Sequence, residues 1–438
     1  MATPTSGGPA RTSGGPAAAG SALRPQRTEF KNGLVLLHNR AAANPSVVVR
    51  ALIRAGSSRE GGSEHGIAGL TGRMLRQGTE NIGKAALAEE LDGMGAGLSV
   101  DVGYALVVIS IKCLSGDFNR AMEIMSELVR RPTFPADELE RLKGQVLTDL
   151  KEMDDNTRVV SERTWRELAY PASHPYHRLT VGDAASVEAA RRDNLISFRN
   201  AWYGANQTTL MVVGDVPADE ATEAAERNLG DWPTARSESV ESTLPAGDLP
   251  PRQLRQVDMV GKTQGDVAIG LPTLERTSPD FYALSFANHV LGRMYFMGRF
   301  GEKVRDEQGL AYYAYSELHG SYGRGAWLMR AGVNPRNLDK ALDSIDVELK
   351  SFLADGPTPA EQADGVSSLL GSLPRQLETN EGAAAVMGEI ELYDLGLDYL
   401  ERYPDIVRSL TREQVTEAAR RWILPDHLIT AIAGPPRT

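Results

Sequence analysis

Cysteine and histidine are scarce in this chain, and long apolar runs are absent. Cys113 is the only cysteine, which excludes a disulfide framework and a zinc site built on cysteines. No run of about 18 apolar residues occurs, which excludes a membrane-spanning helix. An imidazole-based metal site must draw on only seven histidines: His38, His65, His174, His177, His289, His319 and His427.

Basic residues are fewer than acidic ones. The chain has 47 Lys and Arg against 58 Asp and Glu, which gives a net charge of −11 at pH 7. That sign argues against nucleic acid or an anionic membrane as the main partner. The N-terminal residues lack the apolar stretch of a signal peptide, so we expect a cytoplasmic protein.

The first 27 residues contain no acidic residue and no large apolar residue before Leu23. They are rich in Gly, Pro, Ser and Ala, and they contain the hexapeptide Thr-Ser-Gly-Gly-Pro-Ala twice. Sequence of this kind buries too little surface to offset the entropy of ordering, so it predicts a disordered tail over 1–27. A transit peptide is the alternative, because arginines accompany the missing acids.

The rest of the chain is built twice. Trp202 and Trp422 are 220 positions apart, and the apolar strand that follows each one ends in glycine, at Gly214 and at Gly434. A constant offset over separate elements indicates an internal duplication. We therefore predict two homologous α+β halves, over 28–232 and 257–438. The Ser-, Glu-, Pro- and Gly-rich stretch between them predicts a linker over 233–256.

Local patterns in the first half predict several elements. Asn32-Gly33 predicts a hairpin with a type I′ turn. The Val- and Ile-rich stretch 98–114 predicts one strand, and the periodicity of 117–130 and 136–154 predicts two long helices.

Three stretches resemble the M16 (pitrilysin-like) metallopeptidase family. The first is Gly56–Glu60, followed by residues 66–79. The second is His174-Pro175-Tyr176, followed by Val181-Gly182. The third is Val304-Arg305, followed by Gly309-Leu310-Ala311-Tyr312. Each motif alone is weak, but their order and spacing together are specific. The resemblance implies an α+β fold of two homologous halves, each a mostly antiparallel β-sheet flanked by helices. It also implies that the halves are related by a pseudo-twofold axis and enclose a chamber with a partner.

In that family a His-x-x-Glu-His motif on the first helix holds the catalytic zinc. Imidazoles at i and i+4 share one helical face and converge on the metal, while the Glu activates the zinc-bound water. Here Gly69, Gly72 and Arg73 stand at the three catalytic positions, and Asp149 stands at the third-ligand position. The resemblance thus implies no metal in this chain. We expect an ion pair between Arg73 and Asp149 in the vacated site; the alternative is an Asp149 that faces solvent.

No other residue offers a replacement for the lost site. His174 and His177 flank Pro175 and predict a turn, and His289 falls in an apolar helix that favours a buried structural histidine. Cys113 follows an apolar strand and favours packing over catalysis. We therefore expect no hydrolysis by this chain alone.

The C-terminal signature is retained. Arg305 and Tyr312 match an Arg and a Tyr that, in active relatives, bind substrate and stabilise the tetrahedral oxyanion. A guanidinium and a phenol can both donate hydrogen bonds to a peptide carbonyl or an oxyanion. The alternative is that Arg305 belongs to a surface ion network and Tyr312 packs in a core. Loss of the metal with retention of this pair resembles the non-catalytic subunit of heterodimeric M16 enzymes, in which the partner carries the zinc.

Two further stretches bear on substrate binding. Gly97, Leu98, Ser99 and Val100 match the family's edge strand that pairs with the peptide substrate, and an edge strand can bind peptides through backbone hydrogen bonds. The stretch 292–301 stands where the α subunit of mitochondrial processing peptidase carries a glycine-rich loop, but it is aromatic here. That departure disfavours a processing-peptidase α subunit.

Three functions remain open from the sequence. The leading one is a non-catalytic partner of a zinc-bearing M16 peptidase that acts on peptides. The second is a structural relative similar to the core proteins of the cytochrome bc1 complex, and the third is a peptide-binding homodimer without protease activity.

Overall fold

The computed structural model describes residues 23–62, 64–237, 249–321 and 323–436. Within these ranges the chain forms two sheets flanked by helices, which confirms the predicted α+β class. In the same ranges no helix combines the length and the apolarity that a bilayer crossing requires.

The first sheet has six strands in the order β1-β2-β6-β3-β5-β4. The strands are β1 (Gln26–Glu29), β2 (Val35–Arg40), β3 (Ser46–Ile53), β4 (Gly97–Val102), β5 (Val107–Leu114) and β6 (Thr208–Gly214). The helices of this half are α1 (Ile67–Met74), α2 (Lys84–Gly93), α3 (Phe118–Arg130), α4 (Ala136–Asp154), α5 (Thr157–Ala169), α6 (Ala184–Ala189), α7 (Arg192–Trp202) and α8 (Ala218–Leu229).

The second sheet has five strands in the order β7-β11-β8-β10-β9. The strands are β7 (Gln253–Asp258), β8 (Gly265–Pro272), β9 (Ala311–His319), β10 (Ala326–Val333) and β11 (Ile429–Gly434). The helices of this half are α9 (Phe281–Gly292), α10 (Gly298–Phe300), α11 (Leu338–Asp355), α12 (Pro359–Gln376), α13 (Asn380–Leu392), α14 (Tyr399–Ser409) and α15 (Arg412–Trp422). A π-helical turn, Gly301–Glu307, follows α10.

The two sheets repeat one topology. In each, one parallel pair (β2 with β6, β7 with β11) is followed by antiparallel neighbours up to the edge strand, which is β4 in the first sheet and β9 in the second. The mostly antiparallel sheets and the internal duplication are therefore as the sequence predicted.

Each half covers one face of the other half's sheet with a helix. Helix α5 of the first half packs on β8 and β11, where Trp165 lies among small and branched residues of the second sheet. Helix α13 of the second half packs on β3 and β6 in the same way, and Met387 lies against Val48 and Leu52. Gly388 permits this approach, because a Cβ there would lie 2.8 Å from Cδ1 of Leu52.

This exchange explains the composition of the central strands. Strand β3 is a nearly continuous apolar run, since Val47 and Val49 face the first half's own core while Val48 and Leu52 face α13. A strand that is covered on both faces has no polar side, so apolar and polar residues do not alternate along it.

The ordered chain extends beyond the predicted boundaries. Leu23 is buried against α13, and β1 begins at Gln26, although a tail was predicted up to residue 27. Strand β7 begins at Gln253, inside the predicted linker. The predicted tail over 1–22 and the linker residues 238–248 lie outside the described residues.

Two local predictions in the first half were wrong. The stretch 98–114 forms two antiparallel strands, β4 and β5, because the chain reverses at 103–106. The hairpin at Gly33 exists, but its turn is not type I′. Gly33 has a φ of +83° while Asn32 does not adopt a positive φ, and the Gly33 N–H donates to the Phe30 carbonyl at 2.9 Å.

Candidate functional site

Helix α1 carries Gly69, Gly72 and Arg73, the positions that the resemblance assigns to the zinc motif. The helix starts after Gly66, whose φ is +91°, and its first turn is capped by Glu60, which accepts a hydrogen bond from the Ala68 N–H at 2.9 Å. Burial raises the pKa of the Glu60 carboxyl to about 7, although the N–H groups of Ala68 and Gly66 act in the opposite direction.

Arg73 and Asp149 form the expected ion pair. Nη1 of Arg73 lies 3.3 Å from Oδ2 of Asp149, and the pair joins α1 to α4. Both side chains are 44% exposed, so the contact contributes only about 0–1 kcal/mol to stability. Asp149 therefore also faces solvent, and the pair places a permanent cation beside the carboxylate that corresponds to the third zinc ligand.

Gly72 is closed off by the edge strand. A Cβ built on Gly72 would lie 2.4 Å from Cγ2 of Val102, the last residue of β4, and 3.5 Å from Cγ1 of Val100. A glutamate side chain cannot be added there unless the Val102 side chain moves. A Cβ added at Gly69 would lie no closer than 3.4 Å to any atom, the nearest being the Thr180 carbonyl oxygen, which is an ordinary contact.

The residues around α1 therefore do not fit a zinc ion. Gly69 and Gly72 offer no ligand atom, and Arg73 is paired with the carboxylate of Asp149. A cleft of about 230 Å³ remains between α1, β4 and the loop at Thr180. In the described ranges, no three His, Cys, Asp or Glu side chains come together as a metal-binding group.

The remaining predicted candidates have structural contacts. Nδ1 of His174 accepts from the Tyr176 N–H at 3.1 Å, Nδ1 of His177 is hydrogen-bonded to the Tyr170 carbonyl at 2.8 Å, and His289 is hydrogen-bonded to Ser368. Burial lowers the pKa values of His174 and His289 to about 4, which keeps both rings neutral at pH 7. Burial also raises the pKa of the Cys113 thiol to about 11, so it is not a nucleophilic thiolate.

The predicted peptide-binding strand lies at the edge of the first sheet. Among the described residues, strand β4 pairs with β5 alone, which leaves its other backbone edge without a sheet partner there. Leu98 and Val100 are half-buried against the core, whereas Gly97 and Ser99 are exposed. The edge position fits peptide pairing, and the binding itself stays a prediction.

Arg305 lies on the π-helical turn and is accessible. Its side chain is 40% exposed, and its Nη1 lies 3.3 Å from Oδ1 of the exposed Asp306. Its guanidinium carbon is 5.8 Å from the centre of the Phe296 ring. Phe296 is itself 75% exposed, so Arg305 rests on an aromatic surface, and its pair with Asp306 is an exposed ion contact of the kind that the alternative expected.

Tyr312 lies on β9, the edge strand of the second sheet. It is 62% exposed, and its hydroxyl has no hydrogen-bond partner in the described part of the chain. Gly309, with a φ of +61°, turns the chain between Arg305 and Tyr312. The alternative of a Tyr312 packed in a core is therefore wrong. No hydrogen bond joins the two side chains within the described ranges, so both have free donors.

Sequence reasoning missed Phe296 and Val102. Phe296 falls in the aromatic stretch 292–301, and the sequence analysis used that stretch only as evidence that a glycine-rich loop is absent. Val102 completes the alternation of Leu98 and Val100, and that period-2 pattern could have shown that β4 faces α1.

Comparisons with known proteins agree with this architecture. The family model described as Insulinase (Peptidase family M16) matches residues 35–175, and the model described as Peptidase M16 inactive domain matches residues 189–369. An uncharacterized zinc protease from Mycobacterium tuberculosis is 25% identical over 420 residues, which cover 96% of this chain and 95% of that protein. The non-peptidase homolog YmxG from Helicobacter pylori is 23% identical and covers 76% of each chain.

Solved structures show the same fold. The crystal structure of a peptidase M16 inactive domain from Pseudomonas fluorescens has a TM-score of 0.87 and 27% sequence identity, covering 94% of this chain and 98% of that one. The crystal structure of a protease from Helicobacter pylori, at 18% identity, also has a TM-score of 0.87 over 94% of this chain and all of that one. With the two family models and the duplicated sheets, these matches show that the chain belongs to the M16 peptidase family, as a member whose sequence contains no His-x-x-Glu-His motif.

Proposed function

We propose that this chain is the non-catalytic, substrate-binding subunit of an M16 metallopeptidase whose zinc is held by another M16 chain. The observation that carries the proposal is a contrast between two faces. The zinc-motif positions offer no ligand atom and their arginine is paired with Asp149, whereas Arg305 and Tyr312 are accessible and keep free hydrogen-bond donors.

The surroundings of Arg305 suit it to bind a substrate oxygen. Its ion pair with Asp306 is exposed and adds at most about 1 kcal/mol, so a peptide carbonyl can compete for the guanidinium. Phe296 supports the guanidinium from one side and leaves its other N–H groups accessible. Tyr312 adds a phenolic donor from the edge strand next in sequence.

In this proposal the partner's zinc supplies the Lewis acid and the activated water. Arg305 and Tyr312 then donate hydrogen bonds to the oxygen on which negative charge develops, and such donors act mainly in the transition state. The free edge of β4 holds an extended peptide by backbone hydrogen bonds, with little demand on its sequence.

The test begins with the full-length tagged chain, purified from its own cells and analysed for companions and metal. We expect a stoichiometric M16 companion with an intact His-x-x-Glu-His motif and about one zinc per pair. A metal-free homodimer without such a companion overturns the proposal. A stand-alone peptide-binding protein is the second candidate, favoured by the unpaired edge of β4, and that outcome would support it if the homodimer binds unstructured peptides.

Activity of the reconstituted pair tests the residues. Arg305→Ala should lower kcat/KM for a fluorogenic peptide by about 10²–10³-fold, as removal of one oxyanion donor does in other enzymes. Tyr312→Phe, which removes one hydroxyl, should lower it less. Arg336→Ala removes another exposed arginine of the second half and should leave activity unchanged. Full activity of both Arg305→Ala and Tyr312→Phe contradicts the role of the pair.

A further inference from the structure

A cavity in the second half lies apart from the surfaces described above. It has a volume of about 390 Å³, opens to solvent, and is bordered by α9, the C-terminal part of α12, α13, α14 and the end of β9 with His319. Cavities of about 300–1,000 Å³ hold small organic ligands. Six side chains of its wall carry the argument: Arg276, Tyr282, Glu389, Tyr393, Tyr399 and Tyr403. We call it the Arg276 cavity.

Arg276 is buried without a carboxylate. The residue is 7% exposed, and its guanidinium carbon lies 4.1 Å from the centre of the Phe281 ring and 5.3 Å from that of Tyr282. Its Nη2 donates to the Tyr399 hydroxyl at 3.4 Å. In the described ranges no carboxylate oxygen lies within 4.0 Å of it. A buried charge that lacks a counter-ion is costly, and a cavity beside it offers the place for one.

Two other arginines of the second half with little exposed surface, Arg299 and Arg330, show what is missing. Arg299 contacts two glutamates, at 2.6 and 3.1 Å, and Arg330 contacts two glutamates at 2.5 and 3.1 Å. Arg276 has a comparable burial and only rings and a hydroxyl around it. An anionic group from outside the chain would supply the counter-ion that Arg299 and Arg330 already have.

Glu389 provides the opposite charge on the same cavity. Its side chain is accessible to solvent, has no ion pair in the described ranges and lines the cavity wall. Partial burial in the cavity wall raises the pKa of the Glu389 carboxyl, and the positive charge of Arg276 lowers it in part. Glu389 is thus near Arg276 but not paired with it, which leaves room for a ligand that carries both charges.

The tyrosines line the space between these charges. The ring centres of Tyr399 and Tyr403 are 5.6 Å apart, and Tyr282 lies 6.4 Å from the first and 6.5 Å from the second. Their rings present flat apolar surface beside hydroxyl groups. Such a surface favours a planar apolar group of the ligand.

The corresponding place in the first half is filled. Helices α5 and α13 are both 13 residues long, and each is followed directly by a tyrosine, Tyr170 or Tyr393. After α5, the rings of Tyr104, Tyr170, His174 and Tyr176 pack against one another with centres 4.8–5.6 Å apart. After α13, the rings surround an open space instead.

We propose that the Arg276 cavity binds a free amino acid with an aromatic side chain. Arg276 takes the α-carboxylate, Glu389 takes the α-ammonium, and the ring lies against Tyr282, Tyr399 and Tyr403. This site is separate from Arg305 and Tyr312 and does not depend on the proposed peptidase role, so its test uses the full chain without a partner.

Isothermal titration calorimetry with L-phenylalanine tests the ligand class. We expect binding of L-phenylalanine to the full chain. Three analogues should each bind at least about tenfold more weakly: 3-phenylpropionate lacks the ammonium, 2-phenylethylamine lacks the carboxylate, and L-alanine lacks the ring. No binding of L-phenylalanine, or equal binding of all four compounds, overturns the proposal.

Charge-removing variants test the two contacts separately. Glu389→Gln should weaken L-phenylalanine about tenfold and leave 3-phenylpropionate unchanged, because only the first has an ammonium. Arg276→Gln should weaken both. Arg375→Gln and Glu378→Gln change exposed charges outside the cavity wall and should alter neither affinity. Since Glu389 is accessible, its variant should fold even if Arg276→Gln does not, and an unchanged affinity of Glu389→Gln for L-phenylalanine contradicts the site.

Discussion

In the first half, α1 lies so close to the edge strand that Val102 fills the space beside Gly72, and Arg73 is joined to Asp149. In the second half, the π-helical turn beside edge strand β9 leaves Arg305 and Tyr312 exposed. The two halves share one topology, but they differ beside the equivalent edge strands β4 and β9. The same position in the fold thus holds a paired arginine beside a glycine in one half and accessible hydrogen-bond donors in the other.

The largest expected effect concerns the contacts that join the halves. Trp165→Ala removes a fully buried ring of α5 from the second sheet and should lower the free energy of unfolding by about 3–5 kcal/mol. Met387→Ala does the same on the first sheet and should cost about 2–5 kcal/mol. Urea denaturation measures both. Val347→Ala, at a residue that is 66% exposed, should change stability by no more than about 0.5 kcal/mol.

Two results would show that the packing of α5 and α13 on the opposite sheets does not stabilise the fold as proposed. If Trp165→Ala and Met387→Ala both resemble Val347→Ala, the halves do not depend on each other's helices. If the unfolding of either variant splits into two transitions, the halves are joined but not cooperative.

The next effect separates the two faces by activity. In a reconstituted peptidase pair, Arg73→Ala should change kcat/KM by less than about twofold, because Arg73 only closes an unused site. Arg305→Ala should reduce it by about 10²–10³-fold. Peptide cleavage measured for both variants in parallel checks this. A larger loss of kcat/KM for Arg73→Ala than for Arg305→Ala would show that the first half, and not the second, contacts the substrate.

A smaller effect tests how tightly the first half is closed. Gly72→Ala places a methyl group against Val102 and should lower stability by about 1–3 kcal/mol. Gly69→Ala, on the same helix, meets only an ordinary contact and should be neutral or stabilising by about 0.5–1 kcal/mol. Thermal unfolding compares them, and equal stability of the two variants would show that Gly72 has room for a side chain.

The smallest effect is a pH dependence specific to the first half. The pKa of the Glu60 carboxyl is raised by burial to about 7, so the folded state binds this proton more tightly than the unfolded state. The sign follows: stability decreases as pH rises from about 4.5 to about 7. Glu60→Gln removes this dependence, so its advantage over the wild type should grow by about 1–2 kcal/mol across that window. Denaturation of both proteins at several pH values measures it, and a stability difference that stays constant from about pH 4.5 to about pH 7 contradicts it.

Much of the architecture was readable from local signals. Helix α4 spans Ala136–Asp154 as predicted, since its amphipathic period runs from Pro135 without interruption. The duplication was visible from the spacing of Trp202 and Trp422, because repeated elements keep their offset. The ion pair of Arg73 with Asp149 followed from the resemblance, which placed both residues around one site.

The rest depends on contacts between distant parts of the chain. An amphipathic helix shows that it has an apolar face but not which sheet that face covers, so the exchange of α5 and α13 was not predicted. The reversal at 103–106 lies within an apolar stretch that reads as one strand. The Arg276 cavity joins residues more than 100 positions apart, and no local pattern indicates that a buried arginine lacks its counter-ion.

The exchanged helices also set an order on biosynthesis. The ribosome makes the first sheet early, yet one of its faces stays bare until residues 380–392 have emerged, because α13 is what covers it. The apolar face of helix α5 stays uncovered until β11, the last strand of the described chain, has been synthesised. The first half is thus completed only after nearly the whole chain has been translated, and a message cut short after the first half would release a sheet with an exposed apolar face that invites aggregation.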